Sequence, residues 1–183
     1  MPRLSSVAGR RSTPVRERDS LDKSSETMCR LFPEPTTHSL RIRKTYVLWD
    51  ISGFSIHEDF HPCSIREQIE SGIKKEGYYG ELSLWVYGAK NAWSTELDSI
   101  FWDSGFETQQ YKGGISTRLH MLVADFLAML FVLNYPSNVL LLSENKEEVE
   151  RDPKFARLRK ILEDNSFFVV SAHPETLIDS EAD

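Results

Sequence analysis

Two hydrophobic periods alternate along this chain. Tyr46-Val47-Leu48-Trp49 is an unbroken apolar run that ends in Asp50, Ile51, Ser52 and Gly53. A short continuous run of this kind predicts a strand buried on both faces, as in a parallel sheet, over residues 44–51. After a polar loop, Pro62 suits the first turn of a helix. Ile65, Ile69 and Ile73 then recur every four residues on one face, and Gly77 ends the segment. Leu82, Leu84 and Val86 alternate with Ser83, Trp85 and Tyr87, which predicts a second strand over 81–87, closed by Gly88. Ser94 as N-cap and Gly105 as stop bracket a short helix over 95–102. Residues 106–111 read as a third, more polar strand, suited to an edge.

Residues 115–134 are apolar nearly all round and predict a long, central, buried helix. After the turn Tyr135-Pro136-Ser137 comes a fourth strand over 138–142. A turn from Lys146, a helix over 154–163 and a fifth strand over 167–171 complete the series. Strands alternating with helices imply an α/β fold: a doubly wound, mainly parallel central sheet with helices on both faces. Right-handed crossovers make the first and fourth strands neighbours, with a crevice at their carboxyl ends.

Composition divides the chain. Residues 1–43 are rich in Ser, Arg, Thr and Pro without a clear period and are expected to form a disordered tail. They hold nine Arg/Lys and five acids, a net charge of +4. Removing these from the chain's 22 basic and 28 acidic residues leaves 13 and 23, so residues 44–183 carry −10. That balance excludes the broad basic surface of a duplex-DNA binder. Residues 175–183 are expected to be a frayed acidic tail. Cys29 and Cys63 are the only cysteines and one lies in the polar tail, so a reducing, intracellular setting is expected rather than secretion. The longest apolar run, 121–133, is too short to span a bilayer and contains Asp125. No membrane association is expected.

Three places carry candidate chemistry. Asp50 stands at the carboxyl end of the first strand, where an open α/β sheet binds ligands, or where an acid simply caps the next turn. Asp125 has Met121, Leu122, Ala128 and Met129 as its i±3 and i±4 neighbours. A carboxylate on such a face must be hydrogen-bonded, paired or bound to metal. Ser143-Glu144-Asn145-Lys146-Glu147-Glu148 follows the fourth strand. Its acids either add oxygen ligands across the crevice from Asp50 or form an acidic first helical turn. His57-Glu58-Asp59-Phe60-His61 spells the zinc-protease signature H-E-x-x-H, but Pro62 denies it the helix that would aim both histidines at one metal. No glycine-rich phosphate loop occurs.

In this order and spacing, several pieces resemble the NYN domain, a PIN-like nuclease fold, and within it the limkain-type, meiosis-regulator and mRNA-stability branch common in plants. They are Val47-Leu48-Trp49-Asp50-Ile51, Gly77-Tyr78-Tyr79-Gly80, Tyr87-Gly88, Met121-Leu122-Val123-Ala124-Asp125 and Leu140-Leu141-Leu142-Ser143. The resemblance covers residues 44–174. It implies a metal-dependent endoribonuclease acting on single-stranded RNA in RNA turnover and regulation of gene expression. A carboxylate cluster would hold Mg2+ or Mn2+. Carried over, Asp50, Asp125 and Glu147 are the candidate catalytic residues, with Asn145 as a further metal ligand.

The chain also departs from the family pattern. Asp50-Ile51-Ser52-Gly53 stands where the family commonly has Asp-x-Glu-Asn. Ser143-Glu144-Asn145-Lys146-Glu147 replaces Ser-Gly-Asp-x-Asp, and Gly114 and Ser116 stand where acids often open the central helix. These changes imply a weakened centre. The alternative is a catalytically silent NYN module that binds RNA or a protein partner in an RNA-regulatory complex. The cytoplasm is the expected compartment, with the peroxisome as the alternative that the branch's association implies, although no peroxisomal tripeptide stands at Glu181-Ala182-Asp183.

Overall fold

A computed structural model describes residues 30–54, 56, 60–130 and 135–178, without the side chains of Met129 and Leu130. Its centre is a five-stranded sheet in the order β3-β2-β1-β4-β5, with β1 at Thr45–Asp50, β2 at Leu82–Ala89, β3 at Phe106–Tyr111, β4 at Asn138–Ser143 and β5 at Phe168–Ala172. Every pairing is parallel. This is the expected doubly wound α/β sheet. β1 lies between β2 and β4, and Asp50 pairs in register with Tyr87 on one side and Ser143 on the other. The first and fourth strands are therefore neighbours, and the strand order reverses between them. β3 is the expected edge strand.

The six residues of β1 are all buried, as are those of β4. Successive side chains leave opposite faces, so each central strand feeds two cores. Val47, Trp49 and Ile51 join Leu84, Val86, Leu140 and Leu142 beneath α2 (Pro62–Lys75) and α3 (Thr95–Asp103). Tyr46 and Leu48 join Tyr87, Val139 and Leu141 beneath α4 (Ile115–Leu130), α5 (Lys146–Arg151) and α6 (Pro153–Asp164). Pro62 opens α2, and the isoleucine face of that helix is the buried one. Ser94 caps α3 by accepting from the Leu97 N–H, and Asp152 caps α6 by accepting from Lys154 and Phe155. Among the described residues, no helix is long and apolar enough to cross a membrane.

Four expectations need correction. The strand over 81–87 does not stop at Gly88. β2 runs on to Ala89, because this glycine serves packing rather than termination: a Cβ there would lie 2.2 Å from the Trp93 ring. The described part of the long helix is not buried all round. Leu119, Leu122, Val123 and Phe126 face the sheet, while Met121, Ala124 and Ala128 are exposed. Apolar atoms make up much of any folded protein's surface, so an all-apolar pattern there does not require a central position.

The expected tail over 1–43 is ordered from residue 30 onwards. Phe32 is buried edge-on against Tyr78 at 5.4 Å, the Tyr78 hydroxyl donates to the Pro33 carbonyl at 2.6 Å, and α1 (His38–Arg41) follows. Phe32 and Pro35 are the buried anchors of this segment, and two isolated positions leave no periodicity to read. At the other end, Leu177 packs on Gly72 of α2 and Ile178 is buried, so the fold extends past the expected boundary at 174. Residues 1–29, 131–134 and 179–183 of these expectations lie outside the described residues.

Candidate functional site

The carboxyl ends of β1 and β4 bring Asp50 and Ser143 side by side. Asp50 is the last residue of β1 and shares the face of Tyr46 and Leu48, so it points toward α4. It is 6% exposed. Its Oδ1 accepts the Ser52 N–H at 3.2 Å, which caps the turn leaving the strand. The same oxygen lies 4.0 Å from Nε of Arg118, which stands in the opening turns of α4 and is 7% exposed. Arg118 is held in place by donating from Nη1 to the Gly113 carbonyl at 2.9 Å. Its Nε has no hydrogen-bond partner among the described residues, so the pairing with Asp50 is through charge alone. At that separation two unit charges attract by roughly 4 kcal/mol at an effective dielectric of about 20, before the cost of desolvating both.

Gly53 closes the turn at φ +92°, a left-handed conformation that glycine takes without strain. The Glu144 stem passes 3.3 Å from where a Cβ would stand on Gly53. Glu144 itself lies 3.5 Å from Nδ1 of His173 beyond β5.

Asp125 lies two turns further along α4 than Arg118, half-buried, and accepts a short hydrogen bond from the Tyr111 hydroxyl at the end of β3. Burial first, and then that bond, push the Tyr111 phenol up to about 12. Tyr87, opposite Asp50 in the sheet, is fully buried. Burial, reinforced by Asp125 and Tyr111, pushes its phenol up as well, so it remains a protonated donor. Its hydroxyl has no hydrogen-bond partner among the described residues. Trp85, Tyr87 and Tyr111 form a stacked ladder at 6.4 Å spacings across β2 and β3.

Asn145 is the N-cap residue of α5, half-buried, and donates its backbone N–H to the Ser143 hydroxyl at 3.1 Å. Glu147 is exposed in the first turn of α5 beside Glu148. A cavity of about 240 Å3 opens between the start of α4 and α5, lined by Ile115, Ser116, Leu119, Glu148, Arg151 and Asp152. Of the H-E-x-x-H stretch, His57, Glu58 and Asp59 lie outside the described residues, and His61 is the exposed residue preceding α2.

Each sequence-predicted acid thus has a local role. Asp50 caps a turn and faces a guanidinium, Asp125 takes a tyrosine hydroxyl, and Glu147 opens a helix. Among the described residues, no three His, Cys, Asp or Glu side chains converge as they would on a metal ion. A hard divalent cation needs several oxygens and uncompensated negative charge. The donor set as placed does not fit one, because the single buried carboxylate at the crevice is already balanced by Arg118.

Arg118, Tyr87 and Tyr111 were not among the sequence candidates. Arg118 carried a signal: its i±3 and i±4 neighbours include Ile115, Met121 and Leu122, the kind of apolar setting that singled out Asp125. No model of a known protein family matches the chain, and no curated protein matches it.

Proposed function

We propose that the chain is an NYN-type module of RNA turnover and gene regulation that binds single-stranded RNA without cutting it. The carrying observation is the buried Asp50–Arg118 pair at the strand-order reversal, which places a fixed cation beside the carboxylate a nuclease would use for metal. The RNA class comes from the resemblance. The +4 charge of residues 1–43 supplies attraction for phosphate, while the acidic remainder keeps binding modest and salt-sensitive. A protein partner in an RNA-regulatory complex and a cytoplasmic setting complete the proposal.

The test uses purified full chain and labelled single-stranded RNA, with binding read by fluorescence anisotropy and integrity by denaturing gel, with Mg2+ or Mn2+ present. Binding with intact RNA is expected. Cleavage that disappears in Asp50→Asn would sink the silent assignment.

The second reading, a weakened Mg2+- or Mn2+-dependent endoribonuclease, is favoured by the placement of Asp50 beside Ser143 at the reversal point, where such sheets bind their ligands. Under it, Asn145→Asp restores a charge next to Ser143 and raises the cleavage rate, and Asp50→Asn abolishes it.

A further inference from the structure

We infer that Arg118 is the crevice's resident cation: it neutralises Asp50 in place of a divalent metal and keeps such a metal out. Four observations converge on this. Asp50 and Arg118 are each more than nine-tenths buried, and their facing atoms are 4.0 Å apart. The guanidinium is tethered to the Gly113 carbonyl, so it is fixed on the loop that opens α4 rather than free to swing out. Asp50 Oδ1 also takes the Ser52 N–H, so the carboxylate is both charge-balanced and hydrogen-bonded. The other candidate acid of α4, Asp125, is held by Tyr111, and the described residues contain no group of three or more His, Cys, Asp or Glu side chains placed to hold a metal ion.

A divalent ion entering against Asp50 would meet a fixed positive charge in a desolvated site, where charges are poorly screened. With the guanidinium removed, Asp50 is left with one negative charge facing the crevice. A small divalent ion keeps several of its waters as oxygen ligands and takes as few as one or two carboxylates from the protein, usually joined by substrate phosphates, so the lone charge of Asp50 gives a hydrated metal ion a foothold. The substitution should therefore uncover a cation site rather than merely delete a contact.

This inference rests on the silent-module proposal but is read by metal uptake alone, with no RNA present. Mn2+ is titrated into the full chain, and free Mn2+ is followed by electron paramagnetic resonance. The proteins are the parent, Asp50→Asn, Arg118→Met and the double variant Asp50→Asn/Arg118→Met. The parent is expected to take up no Mn2+ that depends on Asp50. Arg118→Met is expected to bind Mn2+ at least about tenfold more tightly than the parent, a difference of one decade in Kd, and the double variant to lose that gain. Arg118→Gln, which keeps a donor for the Gly113 carbonyl, takes its place if circular dichroism shows Arg118→Met unfolded. Asp50-dependent uptake by the parent overturns the inference, whether or not RNA is cut. So does a folded Arg118 variant that gains no Asp50-dependent uptake. RNA cleavage by the parent, measured separately, overturns the silent-module proposal instead.

Discussion

The two faces of the sheet are built differently at the end where the crevice lies. On the α2–α3 face, rings fill the space. Trp49 meets Phe54 at 5.1 Å, and Phe101 touches Phe60, Trp93 and Phe106 at 5.5–5.6 Å. On the α4 face, the same strand ends present Asp50, Tyr87 and Tyr111, answered by Arg118 and Asp125. The faces alternate residue by residue along β1, so Trp49 and Asp50 are chain neighbours in opposite environments. The lesson is that the crevice is one-sided: an aromatic wall sets the shape of the strand ends, and a polar seam under α4 sets their chemistry.

The sharpest way to break this contrast lies on the aromatic side. Phe101 is fully buried among three rings. Phe101→Ala is expected to cost about 3–5 kcal/mol in urea unfolding. A loss within about 0.5 kcal/mol, as for a surface substitution, would show that the wall is not a packed unit.

Next comes the polar seam. Arg118→Met leaves Asp50 buried without a counter-charge and is expected to cost about 3 kcal/mol. Adding Asp50→Asn removes the stranded charge, so the double variant should be more stable than the sum of the single losses implies. Additivity within about 0.5 kcal/mol in that cycle would dissolve the pair as an energetic unit.

Gly88 offers a smaller probe of the aromatic side. The new Cβ of Gly88→Ala would stand 2.2 Å from the Trp93 ring, so about 1–3 kcal/mol of overpacking is expected. Equal or higher thermal stability would mean that the ring yields freely.

The smallest effect concerns Tyr111. Tyr111→Phe removes the donor to Asp125, at an expected cost of about 1 kcal/mol because the site is only half-buried. It also changes the alkaline limb. The folded-state value of about 12 lies above the ordinary 10.0, so the folded protein holds this proton more tightly. That stabilisation is complete below pH 10 and is lost as pH rises through about 12. Tyr46, Tyr78 and Tyr87 are shifted up as well and add to the decline. Unfolding curves across that window should fall less steeply for Tyr111→Phe than for the parent, and identical slopes would remove Tyr111 from the account.

Much of the architecture was legible in the chain because burial writes itself into spacing. The continuous run ending at Trp49 predicted a two-faced strand, the isoleucines every four residues predicted the buried face of α2, and Ser94 predicted a helix start. Strand-helix alternation then led to a parallel sheet with β1 beside β4, and so to Asp50 beside Ser143. What spacing could not carry was partnership. Whether Asp50 faced an acid or an arginine depended on how α4 docks across the sheet, which places Arg118 at the strand end and Asp125 beside Tyr111. The order of residues 30–43 depended on contacts with the distant segment 76–79, among them Phe32 on Tyr78 and Pro35 beside Gly77. Periodicity is a property of one element, and sequence reports it directly. A charge's counter-charge belongs to two elements far apart in the chain, and only their packing decides it.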